Sequence, residues 1–172
     1  PGTLAPTGVG DIVLTPKAVV LDRDAFPLGI ALAVPISVPS GDPAAFLGEG
    51  AVSAAPQAIL EWSDEKIHTR AYKFRAAAMG GVLLREPARL QDARFGNAFT
   101  YGVAAGYRVI SPLEINLELH GNSTGGRVAQ NAAELLLGGK FLMADLVSVS
   151  VGGGTGLGGG VGAPAFRLYA GV

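Results

Sequence analysis

Apolar and polar side chains alternate with a period of two along much of this chain, and this alternation limits the folds open to it. Between Leu113 and His120, leucine or isoleucine occupies every second position, and Glu, Asn, Glu and His occupy the positions between them. In an extended strand, successive side chains point to opposite faces, so this segment has one apolar and one polar face. A helix would mix the two sets around its surface. The segment therefore predicts a β-strand whose two faces meet different surroundings.

The same pattern recurs and predicts about nine strands in a single domain over residues 1–172. The predicted strands begin near Asp11, Gly29, Ser53, Tyr72, Phe99, Leu113, Glu134, Val147 and Phe166. Short connections at 22–27, 63–66, 110–112 and 143–145 alternate with long ones at 39–51, 80–97, 121–130 and 152–164. Outer-membrane barrels have short periplasmic turns and longer outer loops. The sequence thus predicts an all-β, antiparallel, up-and-down transmembrane β-barrel in a bacterial outer membrane, with membrane lipid as a partner.

Composition agrees with this prediction. Hydrophobic residues make up 49% of the chain and charged residues 16%, against a usual charged share of about 25%. Yet no stretch approaches the roughly 20 apolar residues of a membrane-spanning helix. Bacterial single-chain barrels have an even number of strands, so about nine strands lead us to expect a fragment, incomplete at its N-terminus, of a barrel with at least about ten strands. A miscount by one would instead give a closed barrel of about eight or ten strands.

Charged residues in the strands should point away from lipid, because a Lys or Arg facing the bilayer midplane costs about 2–4 kcal/mol. The residues predicted to line the lumen are Lys17, Glu61, Lys73, Arg75, Arg108, Glu114, Glu118, Glu134, Lys140 and Arg167. Two outcomes remain open at this point. In a wet lumen these residues would line a pore and tune ion selectivity. In a narrow lumen they would form a packed network of ion pairs that plugs the barrel.

Aromatic residues should gather at the two membrane interfaces. Phe99 and Tyr101 lie beside a long connection, whereas Trp62 and Tyr107 lie beside short turns. These two groups are the predicted aromatic girdles. Packing within an ordinary sheet is the alternative interpretation.

The sequence argues against an enzyme, and we expect no catalytic, cofactor-binding or metal-binding residue. The absence of cysteine excludes disulfides, thiolate metal sites and a cysteine nucleophile. A net charge of −1 gives no reason to expect nucleic-acid binding. The glycine-rich run 152–160 lacks the Lys-Ser/Thr ending of a phosphate loop and predicts a flexible loop. Glu114 and Glu118 would be about 13 Å apart on a strand, too far for a glycosidase acid–base pair.

Several loose motifs resemble those of outer-membrane barrels that precede an OmpA-like domain. They are the strand opening Gly8–Lys17, the strand exit Pro35–Gly41, the segment Gly96–Gly102 and the terminal Gly162–Arg167. The resemblance implies a barrel of about twelve strands. It also implies a separate periplasmic domain that binds peptidoglycan, which is absent from this chain, so no residue here is assigned to that partner.

Two functions remain as hypotheses. The first is an outer-membrane barrel with a structural or porin-like, pore-forming role. The second is a non-enzymatic β protein that forms a soluble or extracellular assembly through its apolar sheet face. Alternation alone does not separate them, because buried sheet faces and lipid-facing ones have the same pattern.

Overall fold

The computed structural model describes residues 8–23, 27–43, 47–64, 72–90, 93–124, 131–143, 147–157 and 163–172. In these ranges the chain forms antiparallel β-structure with no α-helix. The strands are β1 (Ile12–Leu14), β2 (Lys17–Leu21), β3 (Leu28–Ala33), β4 (Ile36–Val38), β5 (Ser53–Ala54), β6 (Gln57–Ser63), β7 (Phe74–Leu83), β8 (Ala88–Leu90), β9 (Ala93–Phe95), β10 (Ala98–Ile110), β11 (Leu113–Ser123), β12 (Ala132–Met143), β13 (Val147–Leu157) and β14 (Arg167–Gly171). The described residues contain no helix long and apolar enough to cross a membrane.

The main sheet has nine strands in the order β14-β13-β12-β11-β10-β7-β6-β3-β2. Each strand pairs antiparallel with its neighbour, so the chain moves up and down across the sheet in sequence order. The predicted all-β, antiparallel architecture is therefore confirmed. The sheet is open: within the described residues, β14 and β2 are each paired along one edge only. The predicted closure into a barrel is not observed.

Three neighbouring predicted strands are each interrupted by a proline at the same level. Pro16 separates β1 from β2, Pro35 separates β3 from β4, and Pro56 separates β5 from β6. Their carbonyls accept hydrogen bonds from Val34, Ala55 and Val82, but a proline has no N–H to return. The ladder is thus weakened in one row across the sheet. Beyond this row the chain continues as a small sheet of order β1-β4-β5.

Three of the four predicted long connections, at 80–97, 121–130 and 152–164, contain less loop than the sequence indicated, because strands extend into them. β7 reaches Leu83, β11 reaches Ser123, and β8 pairs antiparallel with β9 within the predicted connection 80–97. The fourth, between β4 and β5, has about its predicted length. The largest error concerns the glycine-rich run. Residues 152–157 are not a loop but lie in β13, paired with β12 on one side and, up to Gly154, with β14 on the other. Backbone pairing on both sides overrides the weak strand preference of glycine.

Burial is inverted relative to a water-soluble domain. Glu114 is 1% exposed, whereas its strand neighbours Ile115 and Leu117 are 44% and 48% exposed. Leu137, the cross-strand partner of Leu117, is 58% exposed. Charged groups are seldom buried and large apolar ones seldom cluster at the surface when the solvent is water. The leucines of β11 therefore do not form the core of a globule.

Candidate functional site

Charged residues in the main sheet all lie on one side of it. Cross-strand partners share a face, and the register links Arg108 to Glu114 and Glu114 to Lys140. Following the same register across all nine strands collects every strand residue that was predicted to line the lumen, namely Lys17, Glu61, Arg75, Arg108, Glu114, Glu118, Glu134, Lys140 and Arg167. We call this side the polar face. Lys73, the remaining predicted residue, lies just before β7.

The opposite side, which we call the apolar face, carries no charged residue within the nine strands. Its register includes the exposed side chains Leu28, Leu60, Trp62, Phe74, Phe99, Val103, Tyr107, Ile115, Leu117, Leu137, Phe141, Val151 and Leu168. Two aromatic pairs occur here. Phe99 and Tyr101 have ring centroids 6.4 Å apart, and Trp62 and Phe74 have theirs 5.9 Å apart.

Glu114 is the centre of the most buried polar cluster. Its Oε1 accepts hydrogen bonds from Arg75 Nε at 3.0 Å and Nη2 at 2.5 Å, and its Oε2 accepts one from the Tyr72 hydroxyl. The Arg108 guanidinium lies 4.0 Å from the centroid of the Tyr72 ring, in a cation–π arrangement. Burial of Tyr72 raises its pKa, and the hydrogen bond to Glu114 raises it further, so the phenol stays protonated as the donor.

A glycine makes room for the Arg75–Glu114 pair. Arg75 lies on β7 and Glu114 on β11, so their side chains must meet over the intervening strand β10. Gly106 of β10 is the cross-strand partner of Arg75. A Cβ at this glycine would lie 2.9 Å from Glu114 Oε1 and 3.1 Å from Arg75 Nε. The missing side chain therefore opens the path along which the two charges pair.

A second ion pair also spans an intervening strand, near the start of β12. Arg167 Nη2 on β14 lies 3.0 Å from Glu134 Oε1 on β12. The strand between them presents Gly154 opposite Arg167 and Gly156 opposite Glu134. Glycines of β13 thus allow β14 side chains to reach β12, which gives a structural reason for the glycine-rich run.

A third pair follows the same rule. Arg23 Nη1 lies 3.3 Å from Glu61 Oε1 and donates to the Ser63 hydroxyl at 2.9 Å. The arginine stem passes Gly29, where a Cβ would lie 2.9 Å from its Cγ. In all three ion pairs, each charged side chain is paired with a residue in or directly beside the same sheet, and no group from an opposite wall takes part.

The sequence did not identify Tyr72 or Arg23 as members of the polar face. Alternation within the predicted strand placed Tyr72 on the same side as Phe74, whereas β7 begins only at Phe74 and the Tyr72 hydroxyl reaches Glu114. Arg23 lies in a predicted short connection.

Four charged strand residues of the polar face have no ion pair within 4.0 Å among the described residues. They are Lys17, Arg108, Lys140 and Glu118. Lys140 is next to Glu114 in the register, yet both oxygens of that carboxylate are already engaged. Arg108 Nε is buried without a hydrogen-bond partner.

Small residues form much of the polar face, and shallow cavities lie between its long side chains. One cavity of about 240 Å³ has Glu61, Arg75 and Glu118 at its sides and Ala77 and Ala104 in its floor. A second, of about 320 Å³, is lined by Thr100, His120 and Glu134 among others. Thr100 Oγ1 and Glu134 Oε2 are buried there without a hydrogen-bond partner among the described groups. These cavities suit water and small polar solutes rather than a large apolar ligand.

Two aspartates at strand ends fix the connections. Asp64 Oδ1 accepts hydrogen bonds from the amides of Phe74 and Lys73 at 2.9 and 2.8 Å, and these bonds hold its pKa below the usual range. Asp11 accepts from the amides of Glu49 and Gly41, which lowers its pKa in the same way. One aspartate thus joins β6 to β7 and the other anchors a long connection.

No group of three or more His, Asp or Glu residues in the described ranges is arranged to hold a metal ion. His120 lies on the polar face opposite Glu134. The other histidine, His68, lies outside the described residues.

Comparison with known protein families gives one match. A family profile described as "Putative MetA-pathway of phenol degradation" matches residues 3–165. It represents outer-membrane-type β proteins, and nothing in the match supports the more specific resemblance to the OmpA family. No curated protein matches the chain significantly.

Proposed function

Because this chain belongs to the family described as "Putative MetA-pathway of phenol degradation", a family of outer-membrane-type β proteins, we propose that it is a bacterial outer-membrane β-barrel whose polar face lines a pore. The family description names a degradation pathway and assigns no activity to any residue here. The proposal therefore depends on the physical properties of the sheet.

Separation of charge between the two faces is the observation that carries the proposal. Every charged residue of the nine strands is on the polar face, and the apolar face exposes large side chains such as Leu117 and Leu137. In water this surface would greatly exceed the few hundred Å² of contiguous apolar area that monomeric proteins expose. In hydrocarbon the same surface is favourable, and each inward charge avoids a cost of about 2–4 kcal/mol.

The dimensions of the apolar face support a membrane-spanning orientation. Phe99 and Tyr107 lie near opposite ends of β10. Phe99 belongs to one aromatic pair, and Tyr107 is the cross-strand partner of Phe74 in the other. Tyr107 is eight positions after Phe99, which is about 27 Å along the strand and about 21 Å in depth at a tilt of about 40°. An outer-membrane barrel has an apolar band about 25 Å tall between its aromatic girdles. The two groups of aromatics are thus spaced as girdles should be.

Closure of the sheet is required by the proposal. The described edges of β2 and β14 carry unpaired backbone groups, and hydrocarbon offers such groups no partner. These edges must therefore pair with each other or with further strands when the protein is in a bilayer.

Lateral ion pairing favours an open lumen over a plugged one. In a plugged barrel, charges on facing walls would satisfy one another across the centre. Here Arg75, Arg167 and Arg23 each pair along the wall, over a glycine. Small residues such as Ala77 and Ala104 leave space above the sheet between these pairs. Most carboxylates of the polar face are thus paired without any group that fills the lumen.

Four measurements test this function, namely membrane fractionation, detergent dependence, bilayer conductance and solute flux. We expect the full chain to partition with the outer-membrane fraction, to need detergent for solubility, and to produce stepwise conductance in planar bilayers. Flux of neutral sugars and of phenol, the compound class in the family description, would then be compared in vesicles. A detergent-free, soluble and regular assembly without conductance would refute the barrel and support assembly through the apolar face.

A further inference from the structure

We propose that the pore prefers small inorganic anions, such as chloride, over cations of similar size, and that Lys140 and Lys17 set this preference against Glu118. The inference rests on the proposed pore. It concerns which charges of the polar face act on a permeating ion.

Ion pairing divides the charges of the polar face into two groups. Glu61, Glu114 and Glu134 are each within 3.3 Å of an arginine nitrogen. A close pair of opposite charges has a short-ranged field, so these six groups contribute little to the potential in the lumen. The charges that remain are Lys17, Arg108 and Lys140 against Glu118. Three cations against one carboxylate leave an excess of two positive charges on the polar face of the nine-stranded sheet.

The surroundings of Lys140 keep its charge uncompensated. Its nearest carboxylate in the register is Glu114, which is 1% exposed and already bound by Arg75 and Tyr72. On the other side Lys140 is opposite Ser150, which is neutral. The cation therefore stands beside a carboxylate whose charge has been neutralised by another group.

Arg108 adds a second cation to the same row of the sheet. It is the other neighbour of Glu114, and its guanidinium stacks on the Tyr72 ring instead of pairing with a carboxylate. Lys73 lies near this end as well, but the charge of Asp64 acts against it. The end of the polar face near the short connections thus carries net positive charge. Rings of Lys and Arg are the usual lining of anion-selective pores.

Lys17 and Glu118 lie farther from this row. Lys17 is an exposed residue of β2, and its partner in the register is Ala33. Glu118 lies at the side of the 240 Å³ cavity, with Ala104 and Leu136 as its partners in the register. Neither takes part in the buried clusters, so both can be changed without breaking an observed contact.

A series of charge variants, measured as reversal potential in planar bilayers with a KCl gradient, tests the inference. The wild-type channel is expected to pass chloride more readily than potassium. Lys140→Glu reduces the charge excess from two to zero, so its permeability ratio should fall to about one. The double variant Lys17→Glu/Lys140→Glu should prefer potassium, and Glu118→Gln should prefer chloride more strongly than the wild type. Lys140→Arg is the matched control and should behave as the wild type.

The experiment distinguishes a failure of the proposed ion preference from a failure of the proposed pore. A conducting wild-type channel whose ion preference is absent, or unchanged across the series, would overturn this inference and leave the pore intact. A protein that inserts into membranes but never conducts would refute the pore itself, and with it the inference.

Discussion

Placing a charge on the apolar face provides the most direct test of which solvent that face meets. Leu117 is suited to the test because it is 48% exposed and lies near the centre of β11. It is four residues from Leu113, about 13 Å along the strand and about 10 Å in depth at a tilt of about 40°. An apolar band about 25 Å tall has its midplane about 12 Å from either edge. Leu117 would therefore lie close to the midplane.

Leu117→Arg is expected to lower the free energy of unfolding by about 2–4 kcal/mol in lipid vesicles. Since about 1.4 kcal/mol is a factor of ten, the folding equilibrium should fall by about 30- to 700-fold. The matched control is Glu118→Arg, which adds the same side chain one position along, on the polar face, where no observed ion pair is lost. That variant should change stability by less than about 1 kcal/mol.

Denaturant unfolding of both variants in vesicles, followed by tryptophan fluorescence from Trp62, is the assay. The two variants should differ greatly in their free energy of unfolding although their positions are adjacent, because successive side chains of a strand point to opposite faces. Equal stabilities for the two variants would refute the claim that the apolar face contacts lipid. In a water-soluble sheet, an arginine at a half-exposed position would cost little.

Three further predictions concern the Glu114 cluster, the glycines of the sheet and Asp64. Glu114→Gln should destabilise the protein by about 1–3 kcal/mol, because Arg75 loses its carboxylate; a double-mutant cycle with Arg75→Gln measures the coupling, and additive effects would contradict the pairing. Gly154→Ala should lower the yield of protein folded in detergent, since a Cβ there would collide with the Leu135 carbonyl. The control Gly139→Ala should be tolerated, because the nearest atom to its Cβ would be 4.0 Å away. Equal yields of folded protein for the two variants would contradict the close packing of β13. Asp64 has a lowered pKa in the folded state, so it stabilises the fold above its unfolded pKa of about 3.9, and this contribution is lost as pH falls through the lowered value. In an acid titration, Asp64→Asn should therefore lose less stability than the wild type below about pH 4. An acid profile identical to that of the wild type would exclude this role.

Much of the sheet could be read from the sequence because strand alternation is a local property. The side-chain pattern at Leu113–His120 follows directly from the backbone period of two, and it predicted both faces of β11. The prolines within the predicted strands also indicate, from the sequence alone, where backbone pairing is interrupted. Pro16, Pro35 and Pro56 each lack the N–H of a ladder bond, but their alignment in one row depends on the register of three strands.

The glycine-rich run shows where local reasoning failed. Glycine has a low intrinsic preference for strands, so residues 152–157 were predicted to be a loop. In the structure this segment is paired along β12, and up to Gly154 along β14 as well. Its missing side chains make room for Tyr169, whose hydroxyl lies 2.5 Å from where a Cβ of Gly152 would be. Arg167 reaches Glu134 across the same strand. Such a use of glycine is visible only when the neighbouring strands are in register.

The sequence by itself determined that this chain forms antiparallel strands with charge on one side and apolar groups on the other, because alternation along a strand needs no knowledge of its neighbours. Only the tertiary structure decided which charges cancel. Arg75 and Glu114 are 39 residues apart in the chain, and they meet because β10 places a glycine between their strands. Pairing over an intervening strand depends on sheet order, register and the absence of one side chain together, and no local pattern carries all three.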